Sequence, residues 1–184
     1  MPMKFRETGF EGLFVIELEK LVDSRGFFAR SWCAREFADH GLEIAVAQCN
    51  ISYNEQRGTL RGLHFQQEPF EEAKIVRCTK GLIYDVAVDL RSKSPTFKRW
   101  FAVELSEENR QAFFIPKGFA HGFQTLVDAS EVLYQMSEFY RPEAQAGVRW
   151  NDPAFGIRWP LPEAILSPKD AAFPDFVPKL DPPN

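Results

Sequence analysis

From Ala45 onward the chain is cut into short, alternating apolar runs by Gly58, Gly62, Gly81, Ser94-Pro95, Gly118 and Gly122. That punctuation leaves no βαβ spacing, so the pattern predicts an all-β fold: a double-sheet sandwich or jelly roll whose sheets can enclose a ligand. Residues 82–90 illustrate the rhythm. Their even positions are large and mostly apolar, while the odd ones include Asp85, Ala87 and Asp89, which predicts a strand with one packed and one polar face. Residues 12–18 read as an earlier strand, and residues 35–40, closed by Gly41, as a short helix with a glycine C-cap. His40, at that helix end, is expected to be a surface residue favoured by the helix dipole.

A chain of 184 residues fits one domain, 1–184, with room for both a core and a cavity. Residues 162–184, rich in proline, are expected to wrap irregularly over its body. Eighteen Phe and four Trp suit both β-cores and walls on which flat ligands stack, so they do not separate the two roles. The formal charge of −4 supplies no global field for nucleic acid or an anionic membrane, and an anionic ligand would need a local cluster. No apolar run approaches the ~18 residues of a spanning helix and the N-terminus lacks a signal core, so the expectation is a soluble cytoplasmic protein. Cys33, Cys49 and Cys78 are odd in number and lack CxxC spacing, which suggests neither a disulfide framework nor a zinc site. Cys78 falls in an alternating apolar strand and is expected in the core.

Chemistry is suggested by two segments, Arg61-Gly62-Leu63-His64-Phe65-Gln66 and Ile115-Pro116-Lys117-Gly118-Phe119-Ala120-His121-Gly122-Phe123. Two of the three histidines sit beside glycine and aromatic residues in separate strands, which predicts a pocket built from both. A catalytic metal needs about three protein ligands, and the HxH pair of a metal-binding cupin is absent because Phe65 and Gln66 follow His64; no metal is expected. His64 is then a candidate general base if a carboxylate holds its tautomer, with Asp85, Asp89 and Asp170 all open as partners. Arg25, Arg61, Lys74, Arg77 and Lys169 could form the positive cluster that a nucleotide diphosphate requires. Arg61 and His64 differ in parity, so a regular strand would send them to opposite faces unless Gly62 introduces a bulge. Tyr134 has no special claim from pattern alone.

These segments, with Asp23-Ser24-Arg25-Gly26-Phe27-Phe28, Lys74-Ile75-Val76-Arg77-Cys78, Trp150-Asn151-Asp152-Pro153 and Leu166-Ser167-Pro168-Lys169-Asp170, resemble the dTDP-4-dehydrorhamnose 3,5-epimerase family. The similarity runs from about Phe14 to Ala172. It implies a cupin-type jelly roll with a few short peripheral helices, working without metal or other cofactor on a nucleotide sugar. It further implies that His64 is the base, Asp170 its partner and Tyr134 the acid on the opposite face of the sugar. Lys74 matches a lysine near the sugar ketone and His121 a second ligand-contacting histidine. Arg25, Gln48, Asn50, Arg61 and Lys169 match other binding positions.

Two ligand-side positions depart from the common pattern: Arg30 and Gln145 stand where many members carry glutamate. Both changes remove negative charge near the expected nucleotide. They keep open an enzyme acting at C3 or C5 alone, or on a CDP- or GDP-linked sugar. A non-catalytic sugar-binding jelly roll and a metal-dependent cupin are the readings from other classes. The resemblance also implies a homodimer in which an N-terminal arm, residues 14–28, crosses to the partner.

Overall fold

In the computed structural model, which describes residues 2–42 and 45–178, the alternating runs become two antiparallel sheets. The six-stranded sheet has the order β1 (Met3–Glu7), β2 (Phe14–Leu18), β10 (Ala112–Ile115), β7 (Lys74–Lys80), β12 (Ser130–Met136) and β5 (Gln48–Asn54). The five-stranded sheet runs β13 (Gln145–Gly147), β6 (Leu60–Gln66), β11 (Phe119–Thr125), β8 (Leu82–Asp89) and β9 (Trp100–Ser106). A separate hairpin pairs β3 (Leu21–Asp23) with β4 (Gly26–Phe28), and two short helices complete the elements, α1 (Ala34–Asp39) and α2 (Pro168–Ala171).

The period-2 pattern sorts side chains into three apolar layers. Val15, Val76, Phe113 and Val132 from the first sheet meet Ile83, Ala87, Leu105 and Phe123 from the second, so the main core lies between them. Phe113 and Phe123 are fully buried, each worth roughly 1.5–3 kcal/mol relative to exposure. The alternate residues Ile16, Ile75 and Phe114 turn outward and are covered by Phe37 of α1. A helix this short is unstable alone. It is held by Phe37 and ends in paired hydrogen bonds, Gly41 N–H to the Ala38 carbonyl and Leu42 N–H to that of Phe37, both 2.9 Å, with Gly41 at φ 71°. His40 is exposed at that end, its ring stacked 4.0 Å from Phe5. Cys78 is buried in the main core, as its strand pattern predicts, and burial pushes its thiol up to about 12.

The prediction for residues 82–90 needs correction, because both faces of β8 are covered. Ile83, Asp85, Ala87 and Asp89 face the interior with no exposure, whereas Val86 and Val88 pack outward under Phe155, with Trp159 and Phe176 alongside. The interior face tolerates its aspartates because each has a partner: Asp85 meets His121 and Asp89 meets Arg91, Ser94 and Thr96. The chain after β13 supplies the outer cover. It is mostly irregular, tied to the sheet by a bridge between Thr59 and Ile165, and the part of the 162–184 segment beyond 178 lies outside the described residues.

Candidate active site

A cavity of about 520 Å³ opens between the two sheets, within the usual range for a small-molecule site. Its first wall carries Gln48, Asn50 and Ser52 from β5, Lys74 from β7 and Tyr134 from β12; its second carries Arg61 and His64 from β6, His121 from β11 and Gln145 from β13.

Arg61 and His64 share this cavity despite their parity because β6 carries an extra residue. His121 pairs with His64, but Phe123 pairs with Arg61, so two steps along β11 match three along β6. The crossing depends on glycine. A Cβ on Gly122 would stand 2.7 Å from the Arg61 carbonyl, and one on Gly62, at φ 139°, would stand 2.5 Å from the Gly122 Cα. Two backbones can approach this closely only without side chains. The bulge that Gly62 suggests in the sequence is therefore the feature that aims the Arg61 and His64 side chains into one cavity.

Each histidine facing the cavity has its own aspartate. His64 Nε2 lies 2.6 Å from Asp170 Oδ1, with the imidazole partly open to the cavity and the carboxyl buried behind it. Asp170 is delivered by α2, whose N-cap Ser167 accepts a hydrogen bond from the Asp170 N–H at 3.0 Å. Burial would raise the Asp170 pKa, but the hydrogen bond and charge of His64, with smaller contributions from Ser167 and Arg61, hold it below the ordinary carboxylate value. Phe173 sets the edge of the His64 ring at 5.6 Å. His121 Nε2 lies 2.7 Å from Asp85 Oδ1, and this pair is buried throughout. Burial raises the Asp85 pKa against the opposing influence of His121.

Tyr134 stands on the other wall, its ring 6.0 Å from and edge-on to that of His121. Burial, with the negative charge of Asp85, pushes its phenol far above the ordinary value, against Arg61 and a Ser52 hydrogen bond. It therefore stays protonated across the physiological range. Lys74 donates to the His64 carbonyl at 3.3 Å and lies 3.0 Å from Glu72. Arg61 Nε donates to Asn54 Oδ1 at 2.7 Å.

Other residues expected at the site are placed differently. Gln145 lines the cavity, accepting from Tyr140 Oη at 2.6 Å and from Lys169 Nζ, which leaves Lys169 at the rim. Arg25 projects from the tip of the β3–β4 hairpin with 87% of its side chain exposed, paired with Asp23. Arg30 pairs with Glu36 of α1 at 2.5 Å. Neither of these arginines lines the cavity of its own chain. Arg77 is buried on the far side of its strand, donating to the carbonyls of Ser31 and Arg110, and burial lowers it to about 10. Sequence reading missed Glu72, although its spacing of two from Lys74 was a usable signal for a shared strand face. Among the described residues, no three His, Cys, Asp or Glu side chains gather as a ligand set.

Two antiparallel sheets around a cleft, an aspartate-held histidine on one wall and a protonated tyrosine on the other, define a cupin-like jelly roll equipped for acid–base chemistry. Comparison with known proteins makes the class specific. A family model for dTDP-4-dehydrorhamnose 3,5-epimerase matches residues 7–177. The dTDP-4-dehydrorhamnose 3,5-epimerase of Methanothermobacter thermautotrophicus is 46% identical over 170 residues, 91% of each chain. The crystal structure of the Bacillus anthracis enzyme of that name, with TDP and PPi bound, aligns with a TM-score of 0.92 at 42% identity, covering 95% of this chain and 99% of that one. The dTDP-6-deoxy-D-glucose-3,5-epimerase of Legionella pneumophila, in complex with dTDP-4-keto-L-rhamnose, aligns at 0.89 and 40% identity, covering 94% and 92%. The chain belongs to the dTDP-4-dehydrorhamnose 3,5-epimerase family and is a sugar epimerase.

Proposed function

We propose that His64 and Tyr134 are the base and acid with which this chain inverts C3 and C5 of dTDP-4-keto-6-deoxy-D-glucose, giving dTDP-4-keto-L-rhamnose. The observation that carries this reading is their placement on opposite walls of one cavity. Both carbons are α to the C4 ketone, so their C–H bonds are the acidic ones of the sugar. With Asp170 accepting from Nε2–H, the neutral His64 ring keeps its lone pair on Nδ1. That nitrogen takes the proton, the C–H electrons form a carbon–carbon double bond, and the carbonyl pair moves onto O4. Asp170 stabilises the resulting imidazolium. Lys74 and His121 supply donors for the O4 enolate, a stabilisation worth about 3 kcal/mol per well-aimed donor. Tyr134 then delivers a proton to the opposite face, so the carbon is inverted without net redox change. Gln48, Asn50, Arg61 and Gln145 hold the remainder of the nucleotide sugar.

Arg25 and Arg30 bind substrate in this reading only if a second chain is present. The first part of the expected arm, β2, is hydrogen-bonded between β1 and β10 of its own sheet, so the projecting portion is the β3–β4 hairpin. Its Val22 and Phe28 are 76% and 67% exposed, and such an apolar surface favours packing against a partner. We infer a homodimer in which this hairpin carries Arg25 toward the other subunit; a monomer by light scattering at micromolar concentration would overturn it. A single domain over 1–184 fits three apolar clusters that share the strands of the same two sheets. A cytoplasmic setting fits three unpaired cysteines.

The deciding experiment is incubation with dTDP-4-keto-6-deoxy-D-glucose in D2O, following deuterium at C3 and C5 by NMR. Incorporation at both carbons, reduced by on the order of 10³-fold or more in His64→Ala, is the expected result. Incorporation at one carbon would make the chain a mono-epimerase. None at either would reject this substrate in favour of CDP- or GDP-linked ketosugars.

A further inference from the structure

The ammonium of Lys74 is paired inside the cavity with Glu72. Both residues are more than nine-tenths buried, at 6% and 8% exposure, and both line the cavity. Glu72 Oε1 takes the ammonium at 3.0 Å, while Glu72 Oε2 is buried with no hydrogen-bond partner. A lone buried carboxylate oxygen is costly, since it has lost water and gained nothing in return. It marks a place where a donor belongs, and Glu72 is among the residues that line the cavity.

The chemistry of the donor follows from the neighbour. A protonated amine beside a free carboxylate oxygen presents a hydrogen-bond donor and an acceptor side by side. Its complement is an acceptor beside a donor, which on a ketosugar is the carbonyl oxygen with the hydroxyl of the adjoining carbon. In a 6-deoxy-4-ketohexose only C3 meets that description, because C5 bears the methyl group and the ring oxygen. We propose that Glu72 is a specificity-determining residue whose Oε2 accepts the C3 hydroxyl, so that the Glu72–Lys74 pair reads an α-hydroxyketone. This rests on the function proposed above, with Lys74 at the ketone. The pairing fixes the ring orientation that presents both α-carbons to His64, and it disfavours sugars already deoxygenated at C3.

The test compares dTDP-4-keto-6-deoxy-D-glucose with its 3-deoxy analogue, using deuterium exchange at C5, a carbon that both possess. The readout is the ratio of kcat/KM for the two compounds, in which losses from folding or from an unpaired Lys74 cancel. The unsubstituted enzyme is expected to prefer the hydroxyl-bearing sugar by about 10–100-fold, the range for a hydrogen bond to a charged group. Glu72→Ala is expected to bring the ratio to within about threefold of unity. Glu72→Gln, whose single amide oxygen is taken by the Lys74 ammonium and whose NH2 then stands where Oε2 stood, should lose most of the preference as well. An unchanged ratio in Glu72→Ala, with both rates lowered equally, would reduce Glu72 to a holder of Lys74 and overturn the assignment while leaving the epimerase reading intact. Absence of C5 exchange with either compound in the unsubstituted enzyme would instead overturn that reading and this assignment with it.

Discussion

Two histidine–aspartate pairs face the same cavity from neighbouring strands, with His64 and His121 directly opposite in register, yet they are built differently. The His121–Asp85 pair is local to the sheet: β11 and β8 are adjacent, and both side chains are sealed from solvent. The His64–Asp170 pair joins a strand to a helix 106 residues later, and 31% of the histidine side chain remains exposed. Burial dominates in the first and raises the Asp85 carboxyl; in the second, partners prevail and the Asp170 carboxyl is lowered. A base that must meet a substrate and exchange its proton needs the second environment. The first suits a donor held in one position. Similar residue pairs thus acquire different uses according to how fully each is closed to solvent and how far its partners offset burial.

Substitutions can break this comparison. The largest effect is expected from Asp170→Asn, which removes the charge behind His64 and permits the wrong tautomer. The kcat/KM for C5 exchange should fall on the order of 10³-fold, with the unfolding midpoint within about 3 °C of the parent. Asp85→Asn should lower the same rate only roughly tenfold, since His121 remains a donor. Because burial already opposes the Asp85 charge, stability should change by less than about 1 kcal/mol. Equal rate losses in the two variants would refute the division of roles.

A third aspartate, Asp89, on the same strand as Asp85, sharpens the comparison further. Asp89, like Asp170, has a lowered pKa: burial opposes its charge, but Arg91, Ser94 and Thr96 overcome that opposition. It does so away from the cavity lining, so its charge serves stability. Asp89→Asn should cost about 2 kcal/mol at pH 7, or roughly 6 °C in midpoint, with activity retained below that temperature. The sign of the pH dependence is set by the lowered pKa. The stabilisation is complete above the unfolded value near 4 and is lost as pH falls through the lower folded value. Thermal scans of both proteins should show the gap closing in acid; a gap that widened there would contradict the assignment.

Much of this was legible along the chain because it depends on neighbours in sequence. Alternation and glycine punctuation carry the all-β fold, and the Phe37 helix with its Gly41 ending is a short-range pattern. The possible bulge at Gly62 could be read from parity alone. Local patterning also determined that His64 and His121 lie in strands, since a two-residue period and a glycine's freedom are properties of a few adjacent residues. Only tertiary structure decided that Asp170 meets His64 while Asp85 meets His121, that the outer face of β8 is covered by Phe155 and Trp159, and that Arg25 and Arg30 stand outside their own chain's cavity. It also decided that one oxygen of Glu72 is left without a partner. The physical reason is that burial, pKa and hydrogen-bond satisfaction depend on what closes over a residue from distant parts of the chain.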